Sequence, residues 1–220
     1  MTRALAHTRW ELNILLRNGE QLLLTMIIPL GLLVLARSLA PVIATSVLAA
    51  MFTSLAIGTG FERRSGSLRF LGTTPLRPAE LLIGKLLASF IVLVLSLVLA
   101  VALAAILRCL PEWTLGEWIV AAILVAIGSV ACAGWALFLA GSVRAEGVLA
   151  IANGVFIVLV VTALTLPGSL PSPWAGLVLV LPSVALAHGL AVPSIVSVLV
   201  LSAWAGVGVL LASRRFRWDA

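Results

Sequence analysis

The chain has 220 residues, 62% of them hydrophobic and 10% charged, with a mean hydropathy of +1.23 and a formal net charge of +6. That leaves too little polar surface for a soluble globule, and at about 20 residues per span it allows six membrane crossings with no soluble domain beside them. The positive charge does not point to nucleic acid, because the basic residues sit at the ends of apolar runs, where positive-inside bias and anionic lipid account for them.

Residues 1–21 read as a helix lying on the inner leaflet. Leu5, Thr8, Leu12, Leu15 and Leu16 share one face, Arg3, His7, Glu11 and Asn18 fall largely elsewhere, and Trp10 suits the headgroup zone. So long a mixed polar stretch differs from the short basic start of a cleavable signal. Residues 22–61 hold the first two spans. The first is kinked near Pro29, with Arg37 snorkelling outward, Pro41 turns the chain, and Val42 to Phe61 forms the second.

The stretch 62–85, ERRSGSLRFLGTTPLRPAELLIGK, sets Arg63, Arg64, Arg69, Arg77 and Lys85 against Glu62 and Glu80, an excess that marks a cytoplasmic loop. Ser67 to Leu71 can form a short helix with Leu68 and Leu71 on one side, punctuated by Gly72, Pro75 and Pro78. Its makeup is that of a docking element for a cytoplasmic partner.

Residues 86–166 carry three further spans. Leu86 to Leu107 is uncharged, and the outer loop Arg108 to Trp118 places Trp113 and Trp118 as an aromatic belt would. Ile119 to Val143 is rich in small residues, Gly128, Ser129, Ala131, Ala133 and Gly134, which let helices approach closely. After a turn at Arg144 to Gly147, Val148 to Leu166 has Asn153 as its most polar member. Residues 167–192 begin PGSLPSPW and continue as an apolar run broken by Pro182. Counted as a crossing, this segment would put Arg214, Arg215 and Arg217 outside, so it reads as an outer re-entrant hairpin. The sixth span is 193–213, and 214–220 is a cytoplasmic tail. Only Arg37 and Arg108 of the fourteen basic residues then lie outside. The expected fold is all-α, a single polytopic transmembrane domain of six helices with an interfacial N-terminal arm.

Absent chemistry narrows the function. All eight acidic residues are expected in the arm, loops or tail, so no span offers the midplane carboxylate of a proton- or sodium-coupled carrier. The only Gly-Lys pair, Gly84-Lys85, has Ala79 where a phosphate loop needs its first glycine and Leu86 where Ser or Thr would bind magnesium. His188 and Ser129 are the sole nucleophile–base pairing to consider, and no Gly-x-Ser-x-Gly frame surrounds the serine. No Cys/His cluster has metal-ligand spacing. Cys109 and Cys132 differ in expected depth and read as packing residues rather than a disulfide. No cofactor is expected in this chain.

The central stretch resembles the cytoplasmic loop of ABC-2 type transporter permeases at Glu62-Arg63, Gly66, Leu68, Leu71, Thr74-Pro75 and Gly84-Lys85. Leu16 to Leu22, Arg144-Ala145-Glu146 and Asn153 are similar to actinobacterial drug-efflux members. The resemblance implies six spans per subunit, two permease copies (identical or related) per pore, and two cytoplasmic ABC ATP-binding subunits that carry the ATP and Mg. It makes the central loop a coupling helix and the arm a connecting helix. Glu62, Arg63, Gly66, Leu68, Arg69, Phe70, Leu71 and Pro75 then couple to the ATPase. A pore lined by spans one, two and five would have Thr25, Thr45, Ser46, Thr53, Ser54 and Asn153 as its few polar groups. The expected function is export of a hydrophobic or amphipathic substrate, such as a drug, lipid or glycolipid, across a bacterial plasma membrane, with both termini inside and membrane lipid around it. A haem-export permease and a non-transporting assembly or sensor subunit are the alternatives. The short outer turn at Ser38 to Pro41 and the compact hairpin after Pro167 separate this chain from relatives with larger outer regions.

Overall fold

A computed structural model describes residues 2–72, 77–165 and 174–215. Among them every regular element is a helix: α1 (Thr2–Arg17), α2 (Gly19–Ala36), α3 (Leu39–Ser65), α4 (Ser67–Gly72), α5 (Pro78–Ile106), α6 (Leu115–Ser142), α7 (Ala145–Thr165), α8 (Trp174–Val178), α9 (Pro182–Ala191) and α10 (Ile195–Arg215). Six of these, α2, α3, α5, α6, α7 and α10, are long and apolar enough to cross a membrane, as expected. The bundle forms around α3. Its span is 94% buried, against 22% for α2 and 28% for α7, so side chains on α3 face protein whichever way they point.

Several boundaries differ from those expected. The polar stretch 62–85 is mostly helix, since α3 runs on to Ser65 and α5 starts at Pro78, leaving a link of 66–77 that contains α4. Arg63 and Arg64 suit the negative end of the α3 dipole. Pro78 suits the first turn of α5, where the Arg77 backbone N–H donates to Glu80 Oε2 at 2.9 Å. Pro41 does not break the chain. It lies in the first turn of α3, where its missing N–H costs nothing, and the turn is made by Arg37, at φ 51°, and the extended Ser38. Glu62, Glu80, Glu117 and Glu146 consequently belong to the end turns of spanning helices instead of loops, although none lies near a helix midpoint. Thr114 and Glu117 form a capping box that starts α6, with the Trp113 and Trp118 rings edge-to-face at 4.8 Å.

Pro29 acts as anticipated, with a local compensation. The turn before it, Leu23–Ile27, widens to a π-helix. The Thr25 carbonyl, which Pro29 cannot bond, accepts from Ser96 Oγ at 2.8 Å. The small residues of α6 permit close packing. A Cβ on Gly134 would stand 2.6 Å from the Gly208 carbonyl carbon of α10, and one on Gly128 would stand 3.3 Å from Leu186 of α9.

The hairpin reading suits α8 and α9. Ten residues of α9 span about 15 Å, half a bilayer core. The turn between α8 and α9 reaches the middle of α10, where Trp204 Nε1 donates to the Val180 carbonyl at 2.8 Å. Irregular backbone is tolerable at that depth because its acceptor is satisfied. The PGSLPSPW segment before Trp174 and the tail from residue 216, including Arg217, lie outside the described residues.

Candidate functional site

The arm, the end of α3, α4 and the start of α5 meet at one end of the bundle, here the arm end. The arm packs along α5, and Ala4, His7, Thr8 and Glu11 are its buried face, while Leu5 is 59% exposed. His7, Thr8 and Glu11 thus face the protein, with Glu11 paired to Lys85 of α5. Leu5 and Leu16 are exposed and Leu12 and Leu15 are half-buried, an arrangement that leaves leucines free to meet a membrane. Gly84 makes the fit possible, since a Cβ there would meet His7 Cδ2 at 2.6 Å.

Behind that contact lies a buried ion cluster. Lys85 Nζ stands 2.5 Å from both Glu11 Oε1 and Glu62 Oε1, and its side chain is 3% exposed. His7 Nε2 is 3.2 Å from Glu11 Oε1, an ion-pair distance without hydrogen-bond alignment, and its ring stacks on Trp10. Burial pushes the Glu11 carboxyl up, but His7 and the Lys85 ammonium outweigh it and hold the group below its ordinary value of 4.5. Lys85 was expected among the exposed charges of a cytoplasmic loop. It is instead a buried tie joining the arm, α3 and α5.

The neighbouring arginines also have structural work. Arg63 donates from Nη1 to the Ala140 carbonyl at 2.9 Å and from Nη2 to the Val143 carbonyl at 3.2 Å, satisfying acceptors at the end of α6. Arg64 pairs with Glu146 at the start of α7. The arm end is thus stitched across α1, α3, α5, α6 and α7.

Onto this platform α3 delivers α4. Gly66 ends α3 at φ 78°, a left-handed conformation that favours glycine. Leu68 is 2% exposed and anchors α4 inward, whereas Phe70 is 73% exposed. Ser67, Phe70 and Leu71 face His7 and Trp10 of the arm across a cleft of about 470 Å³. Of the eight expected coupling residues, Glu62 and Arg63 are internal ties, Gly66 and Leu68 shape α4, and Phe70 and Leu71 line the cleft. Arg69 lies on α4 with its side chain outside the described part, and Pro75 lies outside the described residues. Glu11 escaped the sequence reading. Its only signal was its place on one helical face with Ala4, His7 and Thr8.

The expected pore groups are scattered and mostly enclosed. Thr25, Thr45, Ser46, Thr53 and Ser54 are each buried, while Asn153 is half-buried. Thr25 and Thr45 donate to the carbonyls four residues back, of Gln21 and Pro41. None of the six lines either apolar cleft of the bundle, one of about 570 Å³ between α5 and the α6–α10 pair and one of about 310 Å³ beneath the hairpin turn. Ser129 lines the larger cleft, and its Oγ has no hydrogen-bond partner, so a Ser129–His188 pair is not assembled. Among the described residues no group of His, Cys, Asp and Glu could hold a metal, and both cysteines are free.

No curated protein gives a significant match to the chain. The model of the ABC-2 family transporter proteins matches residues 25–213, from within α2 to near the end of α10, which leaves out only the arm and the ends of the chain. The chain therefore belongs to that family: it is a multi-pass membrane permease of an ABC transporter, a subunit type that works with an ATP-binding partner.

Proposed function

We propose that this permease is the membrane half of an ATP-driven exporter, with the arm end facing the cytoplasm of a bacterial cell and α4 acting as the coupling helix. The observation that carries this reading is the exposed Phe70 beside the arm, on a helix whose other side is anchored by Leu68 and whose base is braced by the Lys85 cluster. A force applied at Phe70 and Leu71 would meet no slack before reaching α3 and α5, the two spans that flank it. Two ATP-binding subunits, holding ATP and Mg, would press on α4 of two permease copies.

The cargo is hydrophobic or amphipathic, because the clefts of the bundle are lined almost wholly by apolar side chains. The exposed apolar faces of α2 and α7 supply surface for the second copy, with Ile27, Leu35, Ile157 and Val158 among the side chains they present. In such a pore Asn153 is the polar group nearest the surface, and Thr25, Thr45, Ser46, Thr53 and Ser54 would join it only if α2 and α3 part.

Phe70→Asp tests the reading, with co-purification of the ATP-binding subunit as readout. Loss of the partner from a chain that still elutes as a folded species supports docking at α4, and unchanged recovery would falsify it. Leu68→Asp is the poorer probe, since it buries a charge.

A further inference from the structure

We infer that the arm end carries a second binding site, for the phosphate headgroup of an anionic phospholipid, in the cleft between the ends of α3 and α6 and the start of α7. Arg63, Arg64 and Arg144 line this cleft of about 410 Å³ together with Gly60, Ala145 and Glu146.

The charge account leaves it positive. Glu146 neutralises Arg64, but the two bonds of Arg63 go to uncharged carbonyls, and among the described residues no acid pairs with the exposed Arg144. Arg63 offsets the negative ends of α3 and α6 on which it sits, and the Arg144 guanidinium is left uncompensated beside the positive end of the 21-residue helix α7. Arginine presents a planar fork that fits phosphate oxygens.

The cleft's place in the fold favours a lipid over a free anion. Its rim is charged, and its floor, Gly60 and Ala145, is buried where α3 packs on Val148 of α7. It opens at the ends of spanning helices, the depth at which lipid headgroups lie. A basic pocket between helices on the inner face of a membrane is a recognised form of headgroup site. The orientation is that of the exporter reading above. A bound headgroup would tie α3 to the α6–α7 turn on the side of α3 away from the Lys85 cluster.

The test is lipid binding to the full chain in neutral detergent, read by native mass spectrometry with phosphatidylglycerol, phosphatidylcholine and inorganic phosphate as separate probes. At about 1 kcal/mol per basic residue near an anionic surface, Arg144→Gln should weaken phosphatidylglycerol binding about fivefold. Arg144→Glu should weaken it further, and Arg9→Gln, on the exposed part of the arm, should leave it unchanged. Phosphatidylcholine should bind weakly to all variants alike. The site is overturned if wild type and Arg144→Glu retain phosphatidylglycerol equally. It is also overturned if Arg9→Gln costs as much as Arg144→Gln, which would mean diffuse charge, or if inorganic phosphate alone occupies the cleft as tightly as the lipid. Should Arg144→Glu fail to fold, Arg144→Gln against Arg9→Gln still decides. Detergent has no sidedness, so failure here leaves the exporter orientation untouched, and a reversed orientation would leave the binding result standing.

Discussion

The arm end and the hairpin turn solve the same problem, holding polar groups inside an apolar bundle, by different means. At the arm end the ties are charged: Lys85 between Glu11 and Glu62, Arg63 on the carbonyls ending α6, and Arg64 with Glu146. Halfway down the bundle they are neutral. Trp204 bonds the Val180 carbonyl, Trp135 Nε1 bonds the Trp204 carbonyl at 3.2 Å, and Gly134 lies against Gly208. Full charges are affordable near a helix end, where water can relieve part of their desolvation, and expensive at mid-depth, where a neutral donor and close packing serve instead. The difference gives the arm-end ties a sensitivity to charge that the neutral ties at Val180 and Trp204 lack.

Lys85→Met attacks the contrast hardest. It strands two carboxylates against the arm and should destabilise the chain by about 3–5 kcal/mol, with new protease cleavage after Arg9 or Arg17 reporting the released arm. Gly134→Val should cost about 1–3 kcal/mol, because the added carbons meet the α10 backbone and the helices must separate. The size of that loss should be the same at every pH. Trp204→Phe leaves a smaller aromatic ring and removes the bond to Val180, the bond itself being worth about 1 kcal/mol, since bonds between membrane helices are individually modest. An equal loss from Trp204→Phe and Lys85→Met would erase the distinction between the two regions.

Acid gives the gentlest probe. The folded Glu11 carboxyl titrates below its ordinary 4.5, so its stabilising contribution is complete above that value and is lost as pH falls through the folded value. Arm protection from protease should hold at neutral pH and decline only below about 4.5, while hydrogen exchange around Val180 stays constant. Arm release on going from pH 8 to pH 6 would contradict this account of the cluster.

The spans, the short broken helices before the last of them, the left-handed Gly66 and the close packing along α6 were legible because each is written in local order: apolar length, proline punctuation, a turn glycine, a run of small residues. The Lys85 cluster was not, because its partners stand 74 and 23 residues away, and charge pairing over such separations leaves no periodic trace. The arm's contact with the bundle was hidden for the same reason, since its leucines suited a membrane surface and nothing local showed that Glu11 would meet Lys85 of α5. Thr25 and Thr45 stand out in the sequence as polar groups in apolar spans, and their hydroxyls bond carbonyls of their own helices. Among the eight residues expected to couple to the ATPase, family likeness marked a segment but could not divide exposed side chains from internal ties.

The most direct test of the account is maleimide labelling of Phe70→Cys in a chain with Cys109 and Cys132 replaced by alanine, using a reagent that cannot cross membranes. The account predicts rapid labelling in inverted vesicles, none in right-side-out vesicles, and protection when the ATP-binding subunit is co-expressed. Labelling from the outer face, or an unchanged rate with the subunit present, would contradict it.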